Sequence, residues 1–183
     1  ALTVSGVNIG MALLAPAIPL LRDDLSASAD EAQLVLSAFL IMLGLGQLVA
    51  GSMSDTLGRR PVLLAGSLLF TVAGAAALIS PNIELLIVAR ALQGFGASAC
   101  MAVGRVIIND SFDKTQAGRQ LSTITMIMAI VPMLGFAGGG LVADIIGWRG
   151  TVGIMVITAG VIFLANMALL AETNHNRVAR API

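Results

Sequence analysis

Long apolar runs separated by short polar stretches dominate the 183-residue sequence. A bilayer core about 30 Å thick needs roughly 20 apolar residues in a helix, and the runs are of this size. Backbone groups in hydrocarbon must form hydrogen bonds within their own segment, and the runs lack the alternation of a membrane β-barrel, so each run predicts a helix. The six predicted helices span residues 2–21, 34–53, 62–79, 83–103, 121–142 and 151–171.

The composition indicates a membrane protein. Hydrophobic residues make up 57% of the chain and charged residues 11%, whereas a soluble domain carries about 25% charged residues. Cys100 lies within an apolar run and His175 in the polar tail, so neither predicts a metal or redox site. The sequence has no phosphate-binding loop or nucleophile motif and zero net charge. These features argue against enzyme chemistry, a cofactor and nucleic-acid binding.

The basic residues predict the orientation of the helices. Seven Lys and Arg residues fall in the second and fourth connections and in the C-terminal tail, against two in the first and fifth connections. Since cytoplasmic loops carry the excess of positive charge, the even-numbered connections, the tail and the N-terminus are predicted to be cytoplasmic. The seven residues are Arg59, Arg60, Arg105, Lys114, Arg119, Arg177 and Arg180.

An internal repeat links two polar connections. The sequence "GSMSDTLGRR" from Gly51 recurs 89 residues later as "GLVADIIGWR" from Gly140, and both read Gly-x-x-x-Asp-x-x-Gly-x-Arg. The first copy ends the second predicted helix and the second copy ends the fifth, on opposite sides of the membrane. This pattern predicts two inverted three-helix units, as in many transporters. The alternative is a chance match in a glycine-rich chain.

The connection between helices two and three, "GSMSDTLGRRP", places an acid at the membrane boundary. Gly51 is expected to allow close approach of a neighbouring helix, and Gly58 to supply a left-handed turn before Pro61 starts the next helix. A carboxylate at Asp55 is stabilised by a helix N-terminus or by an arginine, and helix movement breaks either contact. Asp55 is therefore a candidate latch, with a solvated turn as the alternative.

A cytoplasmic charge cluster is predicted where helices two, three and four end. Asp110, near the end of helix four, is expected to join Asp55, Arg59 and Arg105 there. Opposite charges within hydrogen-bond distance stabilise one another, so such a cluster would hold the helix ends together. The predicted gate residues are Gly51, Asp55, Gly58, Arg59 and Asp110.

Arg90 is a basic residue inside a predicted helix. It lies eight residues beyond Asn82, which precedes helix four, and this spacing corresponds to a depth of roughly 12 Å. A charge at that depth needs a partner, and Gln93 shares the same face of the helix. The chain has no acid placed to pair with Arg90 at that depth. The alternative is that the Arg90 side chain snorkels to the outer interface.

Three stretches carry a resemblance to a known family. "SAFLIMLGLGQLVAGSMSDTLGRRPVLLAG" contains the loop pattern G-x-L-x-D-x-x-G-R-R/K, with Met53 in place of Leu, and is followed by "RALQGFGASA" and "GWR". The sequence resembles the major facilitator superfamily over nearly its whole length, and in particular its multidrug-efflux branch of bicyclomycin-resistance-type proton antiporters. The resemblance implies a twelve-helix transporter of a bacterial inner membrane, of which this chain is the N-terminal half.

The resemblance also implies residue roles along a central cavity. The family implicates the arginine at the position of Arg90 in proton coupling or substrate contact. An Asp often lies in helix one, four residues before the first Pro of a Pro-x-x-Pro pair, but that position is Ala12 here, so the expected acid is absent. A packing hydrogen bond is the alternative role for Asn8. The predicted substrate or proton-coupling residues are Asn8, Met11, Arg90, Gln93 and Met128.

Helix five resembles the antiporter signature G-P-x-x-G-G in the stretch "MIMAIVPMLGFAGGGLVAD". Phe136 replaces the proline after Gly135, although Gly139 and Gly140 remain. Pro132 removes a backbone hydrogen bond and can still bend the helix. A bend that lets helix five rock against a partner is predicted, with static packing of small residues as the alternative.

The sequence thus predicts an all-α membrane protein of six transmembrane helices in two inverted three-helix repeats. Its predicted function is secondary active efflux of small apolar or drug-like compounds by alternating access, coupled to a proton gradient. Its predicted partners are the lipid bilayer, a small-molecule substrate, and either a C-terminal six-helix half or a second copy. The alternatives are a sugar or metabolite carrier of the same superfamily, and a non-transporting scaffold or degenerate half-transporter, which the departures at Ala12 and Phe136 favour slightly.

Overall fold

A computed structural model describes residues 14–111 and 113–169 of the chain. These ranges are helical, with short connections and no strand. A 3₁₀ turn at Ala15–Ala17 leads into the short helix α1. The helices are α1 (Ile18–Asp24), α2 (Ala29–Leu57), α3 (Arg59–Leu78), α4 (Ile83–Ser111) and α5 (Lys114–Leu169). The predicted all-α class is confirmed for the described residues.

Four of these helices, α2 to α5, are long and apolar enough to cross a membrane. The 56-residue α5 contains both the fifth predicted helix and most of the sixth, and Gly147 interrupts its helical dihedral angles with φ 72° and ψ 173°. The first predicted helix lies largely outside the described residues, which begin at residue 14. The count of six helices and their arrangement as two inverted repeats therefore stay predictions.

The start of α2 is set by hydrogen bonds at its first turn. The Ser28 hydroxyl accepts from the Glu31 backbone N–H at 3.2 Å, and the Glu31 carboxylate accepts from the Ser28 backbone N–H at 2.8 Å. This reciprocal capping satisfies N–H groups that the first turn of a helix leaves unpaired. The helix consequently begins five residues before the apolar run that predicted it.

A single residue, Gly58, joins α2 to α3. Its φ of 109° and ψ of 156° lie in a region that residues with a Cβ rarely adopt, and its N–H donates to the Ser54 carbonyl at 3.2 Å. The predicted left-handed turn at this glycine is confirmed. The two helices meet here in a tight hairpin.

Glycines allow α4 to pack closely against its neighbours. A Cβ added at Gly94 would lie 2.2 Å from the Phe39 carbonyl oxygen on α2, and one at Gly96 would lie 2.6 Å from the Phe70 backbone nitrogen on α3. The close helix approach predicted at Gly51 is wrong for the described residues, because a Cβ there would meet nothing within 4 Å.

Many large apolar side chains on the membrane-length helices are exposed. Leu48 on α2 is 78% exposed and Ile145 on α5 is 81% exposed. Faces of this kind would be unstable in water and are stable against lipid or another apolar surface. The exposed apolar side chains of α2 are Leu34, Leu40, Ile41, Leu45, Leu48, Val49, Met53 and Leu57.

Candidate functional site

One group of polar side chains lies at the hairpin between α2 and α3, and we call Ser54, Asp55, Arg59 and Asp110 the Arg59 cluster. The Arg59 Nη1 donates to the Ser54 hydroxyl at 2.8 Å and also to the Asp55 carboxylate. The Arg59 Nε donates to the Asp110 carboxylate, at the end of α4, at 3.2 Å. The cluster therefore ties the end of α4 to the hairpin.

The Arg59 cluster is only partly shielded from solvent. The Arg59 side chain is 11% exposed, but the carboxylates of Asp55 and Asp110 are 54% and 33% exposed. Exposed ion pairs of this kind contribute about 0–1 kcal/mol each, because water screens them. A cluster held this weakly can form and break during a conformational change, as a latch must.

Two nearby arginines make other contacts. The Arg60 Nη2 donates to the Met167 carbonyl near the end of α5 at 3.2 Å, so the hairpin also contacts α5. The prediction that Arg105 joins the charge cluster is wrong for the described residues. Arg105 is exposed and its Nη2 lies 4.0 Å from the Met128 sulfur. It faces α5, whereas Asp110 faces the hairpin.

A second site surrounds Arg90 in the interior of the helix bundle. Arg90 and Gln93 are both 0% exposed, so Arg90 does not snorkel to the interface. The Arg90 Nη1 donates to the Gln93 side-chain oxygen at 2.6 Å, and the guanidinium lies 4.5 Å from the centre of the Phe39 ring on α2. The Met155 sulfur on α5 lies 3.8 Å from Arg90 Nη1 and 3.7 Å from Gln93 Nε2. All these partners are neutral.

The remaining donors of Arg90 are unsatisfied. Its Nε and Nη2 atoms are buried and have no hydrogen-bond partner among the residues that the structure describes. No acidic residue in those ranges is buried. A buried charge without a counter-charge is costly, and in membrane proteins such residues usually serve function. Arg90 is thus the residue whose environment most needs a functional explanation.

A third group, which the sequence did not reveal, lies at the other end of α3. We call Asp24, Ser80, Trp148 and Arg149 the Arg149 cluster. The Asp24 carboxylate accepts from the Trp148 Nε1 at 3.0 Å and from the Arg149 Nη1. The Arg149 Nη2 donates to the Ser80 carbonyl at 3.3 Å, and its guanidinium lies 4.3 Å from the Trp148 ring. This cluster joins the end of α1, the connection after α3 and the break in α5.

The two clusters occupy matching places in the two motif copies. Gly58 and Gly147, the motif's second glycine in each copy, both have positive φ. The next residue, Arg59 or Trp148, donates to an acid at the end of another helix. Asp144, which matches Asp55, is exposed and makes no such contact in the described ranges. The 20-residue α3 separates the clusters, a distance of about 30 Å. The repeated motif is therefore the sequence feature that could have identified the Arg149 cluster.

Asp24 makes the Arg149 cluster sensitive only to strong acid. The hydrogen bond from Trp148, and then that from Arg149, lowers the pKa of Asp24 below its usual 3.8. The contribution of the ionised Asp24 carboxylate to folding stability is therefore fully present above pH 3.8. It is lost as the pH falls through the lower pKa that Asp24 has in the folded protein. We expect the fluorescence of Trp148, the chain's only tryptophan, to stay constant from about pH 7 to pH 5 and to change below pH 3.8.

The measurement uses the difference in fluorescence between the full-length protein and its Trp148→Phe variant, so that other tryptophans cancel. Asp24→Asn should remove the acid transition, because the titrating group is gone. Asp23→Asn, which changes an exposed neighbouring acid, should retain it. A transition near neutral pH, or one that persists in Asp24→Asn, would contradict this assignment.

The other predicted site residues fall in several places. Asn8, Met11 and Ala12 lie outside the described residues. Met128 is half-buried and packs between the apolar clusters around Phe39 and Ile108. The backbone stays helical at Pro132, so a bend there stays a prediction. Gly135 and Gly139 are buried, and a Cβ at Gly140 would lie 4.0 Å from Pro16.

The chain is similar to known proteins over nearly all its length. The model of the Major Facilitator Superfamily matches residues 1–183. The chloramphenicol resistance protein of Pseudomonas aeruginosa is 34% identical over 177 residues, which cover 94% of this chain and 41% of that protein. Multidrug resistance protein D of Escherichia coli (strain K12) is 32% identical over 163 residues, which cover 88% of this chain and 41% of that protein.

Solved structures share the fold. The inward-open conformation of the xylose transporter XylE from E. coli has a TM-score of 0.76 and 17% sequence identity, covering 94% of this chain and 47% of that one. At this identity the likeness concerns the fold alone. The chain spans about two fifths of the length of the curated relatives it matches.

Proposed function

Since this chain belongs to the major facilitator superfamily, we propose that it forms part of a secondary active transporter that exports small apolar or drug-like compounds by alternating access. Members of this family are transporters, not enzymes, and the apolar helices make the chain an integral membrane protein. Proteins named for chloramphenicol and multidrug resistance match nearly the whole chain, and this match is the observation that carries the proposal.

The two polar clusters provide candidate gates at opposite ends of the bundle. By the distribution of Lys and Arg, the Arg59 cluster faces the cytoplasm and the Arg149 cluster faces outward. Each cluster connects different helix ends through a few hydrogen bonds and ion pairs with exposed carboxylates. In the proposed cycle, one cluster opens while the other is closed, so the cavity is never open to both sides.

Proton coupling requires a titrating group within the membrane, which is usually an acid in transporters. No acid in the described ranges is buried, and residues 1–13 contain none. Arginine side chains stay protonated in proteins, so Arg90 does not exchange protons, and the Gln93 amide does not titrate. Ala12 stands where the resembled family often has an acid. The relatives of this chain are more than twice as long as the chain itself. If protons drive the transporter, we propose that the titrating acid lies in the part of the transporter that this chain does not include.

Expression of the full-length gene in a host that lacks its own efflux pumps tests the proposal. We expect higher resistance to chloramphenicol or other apolar drugs, together with lower drug accumulation in energised cells. Dissipation of the proton gradient should abolish the difference in accumulation, because export then has no driving force. The Asp55→Asn variant, which we expect to insert into the membrane without exporting the drug, serves as the control for expression.

The alternatives give different results in the same host. Uptake of radiolabelled sugars without any change in drug resistance would indicate a sugar or metabolite carrier. If the gene encodes no further membrane helices and its product gives neither drug resistance nor sugar uptake, the protein is a non-transporting scaffold. Either result would overturn drug export.

A further inference from the structure

The unsatisfied edge of Arg90 identifies a ligand chemistry. We infer that Arg90 and Gln93 form a receptor for a single carboxylate, so that the compounds bound by this transporter include anions with an apolar body. The binding site is argued from contacts within this chain, and only its assignment to a transported substrate rests on the proposed function.

The two free donors of Arg90 lie on the same edge of its guanidinium. The Nη1 atom is used by the Gln93 oxygen at 2.6 Å, whereas Nε and Nη2 are buried and have no hydrogen-bond partner in the described part of the chain. The Nε–H and one Nη2–H point in parallel, in the fork that binds the two oxygens of a carboxylate. The edge best suited to a planar anion is therefore the edge whose donors are unsatisfied.

Gln93 adds a donor to the same site. Its oxygen is occupied by Arg90, and its Nε2 reaches only the Met155 sulfur, at 3.7 Å. A thioether is a weak acceptor, so this amide N–H also lacks a strong partner. The site offers donors and no free acceptor among the described side chains. A carboxylate, which only accepts, fits such a site, whereas an ammonium group, which only donates, does not.

The counter-charge for Arg90 must come from outside this chain's membrane helices. Of the ten acidic residues, Glu172 follows the last apolar run and the other nine lie in the described ranges, where none is buried. Residues 1–13 contain no acid. A guanidinium does not lose its proton to relieve the cost of burial, so an anion is needed.

The surroundings suit a ligand with an apolar body. The Phe39 ring and the Met155 sulfur both contact the Arg90–Gln93 pair. A thioether side chain is flexible and polarisable, and together with an aromatic ring it adapts to varied apolar shapes. These contacts favour a substrate carboxylate over a fixed acid from another part of the transporter, and the experiment below separates the two.

The test compares three probes with one apolar body: 2-naphthoate, 2-naphthamide and 2-naphthylmethylammonium. Binding to the purified full-length transporter is measured by equilibrium dialysis, which does not require transport. We expect 2-naphthoate to bind at least about tenfold more tightly than the other two probes, because the neutral amide lacks the charge and the ammonium cannot accept.

Two variants assign that preference to the fork. Arg90→Lys keeps the charge but loses the fork, and it should weaken 2-naphthoate binding about tenfold with little effect on 2-naphthamide. Ala12→Asp places a carboxylate nine residues before Leu21, at a predicted depth of roughly 13 Å that matches the predicted depth of Arg90. It should abolish the preference by occupying the fork. Arg119→Lys, an exposed change near the start of α5, should leave all three affinities unchanged.

Three outcomes overturn the inference: equal binding of the probes, tighter binding of the ammonium probe, or a naphthoate preference that survives Arg90→Lys and Ala12→Asp. An acid from the rest of the transporter would give the first outcome, since the fork would already be filled. Drug export would still hold if resistance is observed. Conversely, Arg90-dependent naphthoate binding without any transport in proteoliposomes would support the site and count against the proposed function.

Discussion

Replacing Asp55 by Asn is expected to abolish substrate flux through the full-length transporter while leaving membrane insertion intact. Asp55 is half exposed, so the loss of its ion pair with Arg59 should change the free energy of unfolding by less than about 1 kcal/mol. Arg59 would keep its bonds to Ser54 and Asp110, which hold the hairpin together. What the variant lacks is a charge that can bind and release an arginine or a helix N-terminus as the helices move.

Flux is measured as the initial rate of drug export from energised cells, and insertion as the amount of protein in the membrane fraction. We expect a fall in rate of at least about tenfold, which corresponds to about 1.4 kcal/mol in a barrier. Asp113→Asn is the matched control. Asp113 is exposed and caps the first turn of α5, where its side chain accepts from the Gln116 N–H at 2.8 Å, and Asn caps equally well. Normal flux in Asp55→Asn would refute the latch.

Replacing Gly94 by Ala is expected to have the largest effect on folding. The added Cβ would lie 2.2 Å from the carbonyl oxygen and 3.0 Å from the Cα of Phe39, and neither backbone atom can move without shifting α2. Overpacking of this kind lowers the free energy of unfolding by about 1–3 kcal/mol, and contact with backbone places Gly94 at the upper end. The shift would also displace the Phe39 ring from its position 4.5 Å from Arg90.

The measurement is the yield and thermal midpoint of the detergent-solubilised full-length protein on a size-exclusion column. Gly44→Ala is the matched control, since Gly44 lies in α2 and a Cβ there would meet nothing within 4 Å. Alanine favours a helix over glycine by up to about 1 kcal/mol, so this control should be neutral or slightly more stable. A Gly94→Ala protein as stable as Gly44→Ala would contradict the packing described here.

The helices were predictable from the sequence, but their ends were less so. Hydrophobic runs mark the length that lipid requires, whereas a helix continues until its backbone hydrogen bonds are capped or broken. Capping by Ser28 and Glu31 extends α2 before its apolar run. Residues 104–111, which mix polar and apolar side chains, extend α4 after its apolar run, because none of them stops a helix. The break in α5 at Gly147 lies within the connection predicted between helices five and six, so this boundary was predictable.

Spacing within a helix, and charge at helix ends, predicted part of the site. The contact between Arg90 and Gln93 follows from their three-residue separation, and Arg59 meets Asp55 and Asp110 as expected. Which helix Arg105 faces and which acid pairs with Arg149 depend on helix rotation and packing. Neither is encoded in local spacing, so Asp24 and Trp148 went unrecognised. The functional roles of all these residues stay predictions.

The one-residue connection at Gly58 leaves no slack between α2 and α3. We therefore expect the two helices to shift together along their axes when the hairpin moves. Arg59 lies at the hairpin end of α3, and just beyond the other end of α3 the Ser80 carbonyl accepts from Arg149 at 3.3 Å. A displacement of the hairpin is thus expected to reach the Arg149 cluster through α3 itself.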